Sequence, residues 1–338
     1  MSVILISIII LLNFIRVSSF MGENVANIER QFSDCFFNEI RRLIIQNHYK
    51  ENFITVTLLN VLWIDRLNEF IFSYTNITKT IVLVVSLDKI VYNYCKDKGV
   101  PTILLINKNY SISEVILRAK ISTIYHLLEN NYNVLFAEMD IFLNQNLNLL
   151  SFLEALQKEG DFDMLFSQHS FHPEINMGLF LIYSRKRPKS IFRRIYDWLD
   201  SDKRDLHPSF CGAFDQKILD YAVRGEGQLM NVCKTSSTEL AMLYNHSETK
   251  NNWSYIPYYQ VPHPPIKNDY AKLYAIHLWS GQSIIARYKY AEKNGFWSKI
   301  IHPVTSLSLE YNYTVKNEND TKWLDYLGYR FNSSAFMC

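Results

Sequence analysis

Two carboxylates stand near the end of an otherwise apolar run, in the stretch NVLFAEMDIFL. Glu138 and Asp140 are two positions apart, and burying two charges without partners is costly. In an extended segment, residues at this spacing project from the same face. Such a pair suits a divalent cation with oxygen ligands, such as Mg²⁺ or Mn²⁺, which could bridge the two phosphates of a nucleotide. The alternative is an ordinary strand end that reaches solvent.

His277 is a further candidate metal ligand, because neutral imidazole commonly coordinates metals. It stands in the stretch AIHLWSG, after a strand-like run. A satisfied core or surface histidine is the alternative interpretation. The remaining histidines show no spacing typical of a zinc site.

Polar residues elsewhere could bind a substrate. Asn176 can hydrogen-bond a sugar hydroxyl and Gly178 allows close backbone approach, although turn chemistry explains both residues equally. Asp215 and Gln216 open a predicted helix, where an acid also serves as an N-terminal cap. Lys120 could neutralise a phosphate from the helix that precedes the acidic pair, while a solvated lysine is the default.

Strands alternate with helices through the first half of the chain. Apolar runs rich in β-branched residues predict strands at 53–60, 81–88, 101–107 and 133–143. Helical spacing fills the intervals, and Ser111 with Glu114 forms a capping box. This order predicts an α/β fold with a mostly parallel central sheet flanked by helices. Ligands of such sheets bind at the carboxyl ends of the strands, where Glu138 and Asp140 lie.

The second half of the chain is less regular. Strand-like runs are predicted at 163–168, 176–184 and 271–281, helices at 188–201 and 214–223, and a long loop at 245–270. Asp161 and Asp163 spell a rival acidic pair just before a predicted strand. Because the amino end of a strand is the wrong end for this type of site, we expect a solvated turn there.

The composition is that of a folded globular protein, with 48% hydrophobic and 20% charged residues. A net charge of +2 and scattered Lys and Arg residues argue against a nucleic-acid-binding module. The predicted organisation is a leader at 1–19, an N-terminal helical segment at 20–52, one domain at 53–304 and a polar tail at 305–338.

The leader predicts entry into the secretory pathway. Its apolar run is short for a membrane span and its charged n-region is missing, so both a cleaved signal peptide and a retained signal anchor fit. Two disulfides and one free thiol would fit the five cysteines, and we favour pairing Cys211 with Cys233. The glycosylation sequons agree with this address and begin at Asn76, Asn109, Asn245, Asn252, Asn312, Asn319 and Asn332.

Four stretches together resemble the nucleotide-diphospho-sugar transferase domain of GT-A glycosyltransferases, and most closely the group with plant cell-wall α-xylosyltransferases and galactosyltransferases. The similarity spans residues 52–297. The stretches are LRAKISTIYHLLENNYNVLFAEMDIFL, NMGLFLIYS, FDQKILDYAV and AIHLWSG. The resemblance implies a GT-A (Rossmann-like) fold and transfer of a sugar from a UDP-sugar to a hydroxyl of a glycan or glycoprotein. It also implies retention of the anomeric configuration and a location in the Golgi lumen.

The resemblance assigns roles to the candidate residues. The family's Asp-x-Asp motif binds Mn²⁺ or Mg²⁺ with the donor diphosphate, and it matches Glu138 and Asp140, with Glu in place of the first Asp. Glu138 also matches the carboxylate that contacts the nucleotide ribose. His277 matches a histidine that completes the metal shell, and Lys120 matches a basic residue before the motif.

Other positions match the family's donor site. Residues at the ends of the first two strands match the region that holds the nucleotide base and ribose: Leu58, Asn60 and Asp88. Positions in the second half match the donor-sugar pocket and the neighbourhood of the reacting sugar, respectively Asn176 with Gly178, and Asp215 with Gln216.

Three other functions remain open. A catalytically inactive relative that binds a glycan or a partner is favoured by the Glu at the motif. A nucleotidyltransferase would need a Gly-rich, basic loop after the first strand, where LLNVLWID stands instead. A secreted structural protein would have Glu138 and Asp140 in ion pairs.

Overall fold

The computed structural model describes residues 31–105, 112–168, 175–200, 215–224, 252–262, 270–278, 287, 290–291 and 293–296. The chain divides into two compact units, residues 1–43 and 44–338. The helix Asp34–Gln46 (α1) begins in the first unit. Several predicted features lie outside the described residues, namely the leader at 1–19, the tail at 305–338, the pair Cys211–Cys233 and the capping box. The predicted domain limits stay predictions.

The second unit is built on a seven-stranded sheet and a separate two-stranded sheet. In chain order the strands are Phe53–Leu59 (β1), Ile81–Ser86 (β2), Thr102–Leu104 (β3), Asn133–Ala137 (β4), Ile141–Leu143 (β5), Met164–Gln168 (β6), Ile175–Ile182 (β7), Trp253–Tyr255 (β8) and Ala275–His277 (β9). The large sheet has the order β3-β2-β1-β4-β7-β6-β8, and β5 pairs with β9 in the small one.

Helices connect most of these strands. They are Ile64–Ser73 (α2), Lys89–Asp97 (α3), Ile112–Glu129 (α4), Leu149–Gly160 (α5), Lys186–Asp200 (α6) and Asp215–Arg224 (α7). Short 3-10 turns cover Val61–Trp63 and Tyr270–Lys272, and a π-helical turn covers Tyr74–Thr78. Within the described part of the chain, every helix is too short or too polar to cross a bilayer.

Strand direction brings most carboxyl ends to one edge of the large sheet. Strands β1, β2, β3 and β4 pair in parallel, and β6 pairs in parallel with β8. Only β7 runs the other way, antiparallel to both β4 and β6. The α/β fold with a mostly parallel sheet is therefore confirmed, and we call the edge with these carboxyl ends the carboxyl edge.

Alternation along β4 explains why helices cover both faces of the sheet. Leu135 and Ala137 join a buried cluster that includes residues of α2, α3 and α5. Phe136 points to the other face, where it stacks on Phe180 of β7 at 4.8 Å between ring centroids. Lys120 of α4 lies over the same Phe136 ring, so α4 packs on this second face. Successive strand residues project to opposite faces, and a parallel sheet buried on both sides therefore needs a continuous apolar run.

The structure corrects two predicted elements. The strand predicted at 133–143 is broken, because residues 138–140 leave it before β5 begins. The loop predicted at 245–270 contains β8, which pairs with β6 at the edge of the sheet. Its residues Trp253, Ser254 and Tyr255 are only half-buried. The segment therefore lacks the alternating or continuous apolar pattern from which a strand is predicted.

Asp163 corrects a third expectation. Asp161 does lie in a turn, with a left-handed backbone and a side chain that is 81% exposed. Asp163 is instead buried, and its carboxylate accepts hydrogen bonds from Arg185 and from the side-chain amide of Asn252. Asp161 and Asp163 thus form structural ion pairs with Arg185 at the amino end of β6. The hydrogen bond to Asp163 also engages the side-chain amide of Asn252, the first residue of one of the sequons.

Candidate metal and donor site

The acidic pair lies in a tight turn that follows β4. The backbone N–H of Glu138, directly after β4, donates to the carbonyl of Gly178 in β7 at 2.8 Å. Ile141 N–H then donates back to the Glu138 carbonyl at 3.0 Å, which closes the turn. Pairing of β5 with β9 sets Ile141 opposite His277. Two strands far apart in sequence therefore bring the histidine to the carboxylates.

Glu138, Asp140 and His277 form the only cluster of metal-ligating side chains in the described part of the chain. One ligand atom from each lies within 4.8 Å of the others. Nε2 of His277 is 3.3 Å from Oδ1 of Asp140 and 3.9 Å from Oε2 of Glu138. His277 is buried and Glu138 is 39% exposed, so the cluster opens to solvent on the glutamate side.

The ionisable groups of this cluster shift one another's pKa values. Burial raises the pKa of Asp140, but His277, Arg287 and Arg66 more than offset that effect, so the pKa lies below its usual range. Burial likewise lowers the pKa of His277, whereas Asp140 and Glu138 raise it to a net value above the ordinary one. The carboxylates thus favour a positive charge at the position of the imidazole Nε2.

Lys120 links the acidic pair to the start of α7. Its ammonium is fully buried and bonds Oε1 of Glu138 at 3.0 Å, a carboxylate oxygen of Asp215 and the carbonyl of Met177 at 3.4 Å. Burial lowers the pKa of Lys120, but Asp215 and Glu138 outweigh it and raise the pKa overall. Lys120 therefore joins two carboxylates from different elements, and it is not the solvated lysine of the default interpretation.

Gly178 makes room for the histidine. A Cβ atom at this position would lie 2.4 Å from Cε1 of His277 and 2.9 Å from Oδ1 of Asn176. The buried Asn176 uses that oxygen to accept a hydrogen bond from the Gly178 N–H at 2.7 Å. Because Gly178 has no side chain, the imidazole ring of His277 fits against it. Asn176 holds the strand at this point through its hydrogen bond to the Gly178 N–H.

The residues expected near the nucleotide shape two loops of the carboxyl edge. Oδ1 of Asn60 caps the 3-10 turn after β1 by accepting from Leu62 N–H at 3.2 Å. Asp88 accepts from Val91 N–H at 2.9 Å and from Val61 N–H at 2.6 Å, so its carboxylate ties the loops after β1 and β2 together. Burial raises the pKa of Asp88, partly offset by these N–H donors. Half-buried Leu58 lies near the end of β1.

Two arginines at the site were missed by sequence reasoning. Arg66, fully buried on α2, donates to the carbonyls of Met139 and Ile141, the latter at 2.8 Å. It therefore holds both sides of the acidic turn, and it also pairs with Glu69 at 3.4 Å. An arginine and a glutamate on the apolar face of a predicted helix were the signal that could have revealed it.

Arg287 is the second arginine. Its Nη1 lies 3.1 Å from Oδ2 of Asp140, and its guanidinium carbon lies 5.3 Å from the centre of the Trp63 ring. It stands ten residues after His277 in a stretch without a recognisable motif, so only the fold reveals it.

The predicted site residues thus form two groups. One is a connected cluster around the acidic turn, and it contains Glu138, Asp140, His277, Lys120, Asp215, Asn176 and Gly178. The other is the loop pair of Leu58, Asn60 and Asp88 at the ends of β1 and β2. Gln216 follows Asp215 at the start of α7, and its N–H donates to Oδ1 of Asp215 at 2.9 Å.

Comparison with solved structures gives distant similarities. The apo-form glycosyltransferase GlyE of Streptococcus pneumoniae TIGR4 matches at 13% identity and a TM-score of 0.35, covering 81% of this chain and 63% of that one. TarS of S. aureus matches at 13% identity and a TM-score of 0.34, covering 68% and 37%. The chain thus spans less than two thirds of either protein.

No curated protein sequence matches the chain. A protein-family model does match, over residues 78–264, which is more than half of the chain. The matched segment contains the acidic turn, Lys120 and the start of α7, whereas His277 and Arg287 lie beyond it. On this match, the chain belongs to the nucleotide-diphospho-sugar transferase family.

Proposed function

We propose that this protein is a metal-dependent glycosyltransferase, which moves a sugar from a nucleoside-diphosphate sugar, with UDP as the expected nucleotide, to a hydroxyl of a glycan or glycoprotein. The observation that carries the proposal is the convergence of Glu138, Asp140 and His277 at the carboxyl edge of a mostly parallel sheet. That edge is where open α/β sheets bind their ligands. Family membership supports the nucleotide-sugar donor.

The donor atoms of the cluster fit a divalent cation. Oδ1 of Asp140 is buried and lies 3.3 Å from Nε2 of His277, an ion-pair contact without the alignment of a regular hydrogen bond. It faces an imidazole nitrogen and a second carboxylate, a donor set that suits Mn²⁺ or Mg²⁺, with the nitrogen favouring Mn²⁺. Such an ion, when bound, neutralises charge on the leaving diphosphate.

The protein's own groups organise the rest of the transfer. The acceptor hydroxyl oxygen bonds the anomeric carbon, the bond from that carbon to the diphosphate oxygen breaks, and the hydroxyl proton is released to water. By family resemblance we infer retention of configuration. Both carboxylate oxygens of Asp215 are engaged, one by Lys120 and one by the Gln216 N–H, which favours a positioning role over nucleophilic attack.

Calorimetry of UDP binding to the full chain, with and without Mn²⁺, tests the donor site. We expect binding only with Mn²⁺, and its loss in the Glu138→Gln/Asp140→Asn double variant. The matched control is Glu159→Gln/Asp161→Asn, which neutralises an exposed pair with the same spacing at the end of α5. The proposal is overturned if the folded wild type does not bind UDP either with or without Mn²⁺.

Two features of Glu138 favour a second candidate, an inactive relative that binds glycans. Glu138 replaces the expected Asp, and Lys120 already occupies one of its oxygens at 3.0 Å. Release of UDP from UDP-sugars in the presence of glycan acceptors separates the two. Mn²⁺-dependent UDP binding without turnover for any donor, together with measurable glycan binding, would favour the inactive relative.

A further inference from the structure

Arg287 lies beside the candidate metal cluster, in contact with Asp140. The two carboxylate oxygens of Asp140 contact different residues. Oδ1 lies 3.3 Å from His277 and Oδ2 lies 3.1 Å from Arg287. The arginine side chain is only 7% exposed, so its charge is largely shielded from water. A cation held in such surroundings interacts strongly with any anion that reaches it.

A second neighbour of Arg287, Trp63, lies at the loop after β1, where the family resemblance places the nucleotide. Trp63 ends the 3-10 turn that follows β1, and its ring centre is 5.3 Å from the guanidinium carbon. Asn60 and Asp88 shape the same pair of loops. Arg287 therefore reaches from the acidic turn after β4 to the loop after β1, the interval that a nucleotide diphosphate would cross.

The charges explain why an arginine stands here. Three carboxylates meet at the site, and Lys120 already pairs with two of them, Glu138 and Asp215. A permanent cation beside Asp140 weakens divalent-metal binding to that carboxylate, and a neutral donor would position Asp140 without this cost. The cost is offset if an anion joins the site together with the metal. A diphosphate is such an anion, and the planar guanidinium fork matches phosphate oxygens.

We propose that Arg287 is a diphosphate-binding residue, held ready by Asp140 and Trp63, which exchanges the carboxylate for phosphate oxygens when the donor binds. This inference rests on the proposed function and adds a residue beyond the matched family segment. It assigns Arg287 the stabilisation of the leaving diphosphate by the chain itself. Metal and nucleotide binding then become coupled, because each relieves the unfavourable charge that the other would meet alone.

Two binding measurements on Arg287→Gln test the proposal, with Mn²⁺ alone and with UDP at saturating Mn²⁺. Removing the cation should strengthen Mn²⁺ binding several-fold and weaken UDP binding by about tenfold or more. Arg287→Lys keeps the charge without the fork and should bind UDP with intermediate affinity. Arg193→Gln, on the exposed face of α6, is the matched control and should leave both affinities unchanged.

The outcomes separate the two proposals. A wild type that fails to bind UDP overturns the proposed function, whatever the variant does. A wild type that binds UDP with the same affinity as Arg287→Gln overturns the assignment of Arg287 alone. Weaker binding of both Mn²⁺ and UDP, with a lowered melting temperature, would show that Arg287 merely supports Asp140, and would overturn the assignment as well.

Discussion

At the scale of single residues, the site is a balance of charges in which the two carboxylates of the acidic turn contact different cations. Glu138 pairs with Lys120 and Asp140 pairs with Arg287, while His277 lies close to both acids. The Glu side chain is one methylene longer than the Asp of the family motif. Here Oε1 reaches Lys120 while Oε2 stays 3.9 Å from the imidazole. The longer side chain therefore does not separate the carboxylate from the cluster.

Gly178→Ala tests whether the placement of His277 requires a residue without a side chain at position 178. The added methyl would meet Cε1 of His277 at 2.4 Å, so the imidazole must shift away from the two carboxylates. We expect Mn²⁺ affinity to fall by about 10- to 100-fold, the range for disturbing a residue that orients a metal ligand. Calorimetry with Mn²⁺ measures the change.

The control for that variant is a double-mutant cycle with His277→Ala. Once the imidazole is gone the methyl has space, so Gly178→Ala should then cost little further affinity. Additive losses in the double variant would mean that the glycine acts on the site by another route.

At the scale of elements, the acidic turn is held from two sides. β9 approaches it through backbone hydrogen bonds, among them Leu278 N–H to the Asp140 carbonyl at 3.0 Å. α2 approaches it through Arg66, whose guanidinium also lies 3.7 Å from the centre of the Phe142 ring in β5. Because the turn leaves the large sheet, it has no ladder to fix it, and the arginine supplies the missing donors.

Arg66→Met should destabilise the fold strongly. It would leave the carbonyls of Met139 and Ile141 without their donor and Glu69 without its cation, in a fully buried setting. Removing one partner of a buried pair costs about 3–5 kcal/mol, and we expect a loss of this size in the free energy of unfolding. Urea unfolding followed by tryptophan fluorescence measures it.

A second variant isolates the charge from the turn. Arg66→Met/Glu69→Leu removes both charges and should recover part of the stability, because no buried carboxylate is left unpaired. Its Mn²⁺ binding should be weaker than that of the wild type, since the acidic turn still lacks the donors that Arg66 supplies. Full recovery of both stability and Mn²⁺ binding would show that the arginine serves only Glu69.

At the scale of the whole molecule, two of the predicted sequons begin within the described residues, and their asparagines differ in exposure. Asn76 lies exposed on the π-helical turn after α2. Asn252 is half-buried beside β8, where its side-chain amide donates to Asp163 at 3.2 Å. A glycan on Asn252 would disturb the pairing of β6 with β8.

Glycopeptide mass spectrometry of protein from a secretory host should therefore find Asn76 glycosylated and Asn252 unmodified. The Asn76→Gln variant provides the control, because it should lose that glycan and keep its fold. A glycan on Asn252 of folded, UDP-binding protein would contradict the expectation, and an unmodified Asn76 would count against the secretory address.

The sequence by itself determined the fold class and named most residues of the cluster around the acidic turn. Apolar runs separated by helical spacing predicted β1, β2, β3 and the parallel sheet, because buried parallel strands need such runs. Strand polarity then placed Glu138 and Asp140 at the carboxyl edge. The family match independently supports the same segment.

Only the tertiary structure decided how the cluster is assembled. The tight turn at 138–140, the strand β8 and the pairing of β5 with β9 depend on contacts between segments far apart in the chain, which local periodicity does not encode. The same holds for Arg66 and Arg287, which have no motif around them. Electrostatic partnership depends on distance in space, so the pairing of Lys120 with Glu138 and of Arg287 with Asp140 became visible only when the chain was folded.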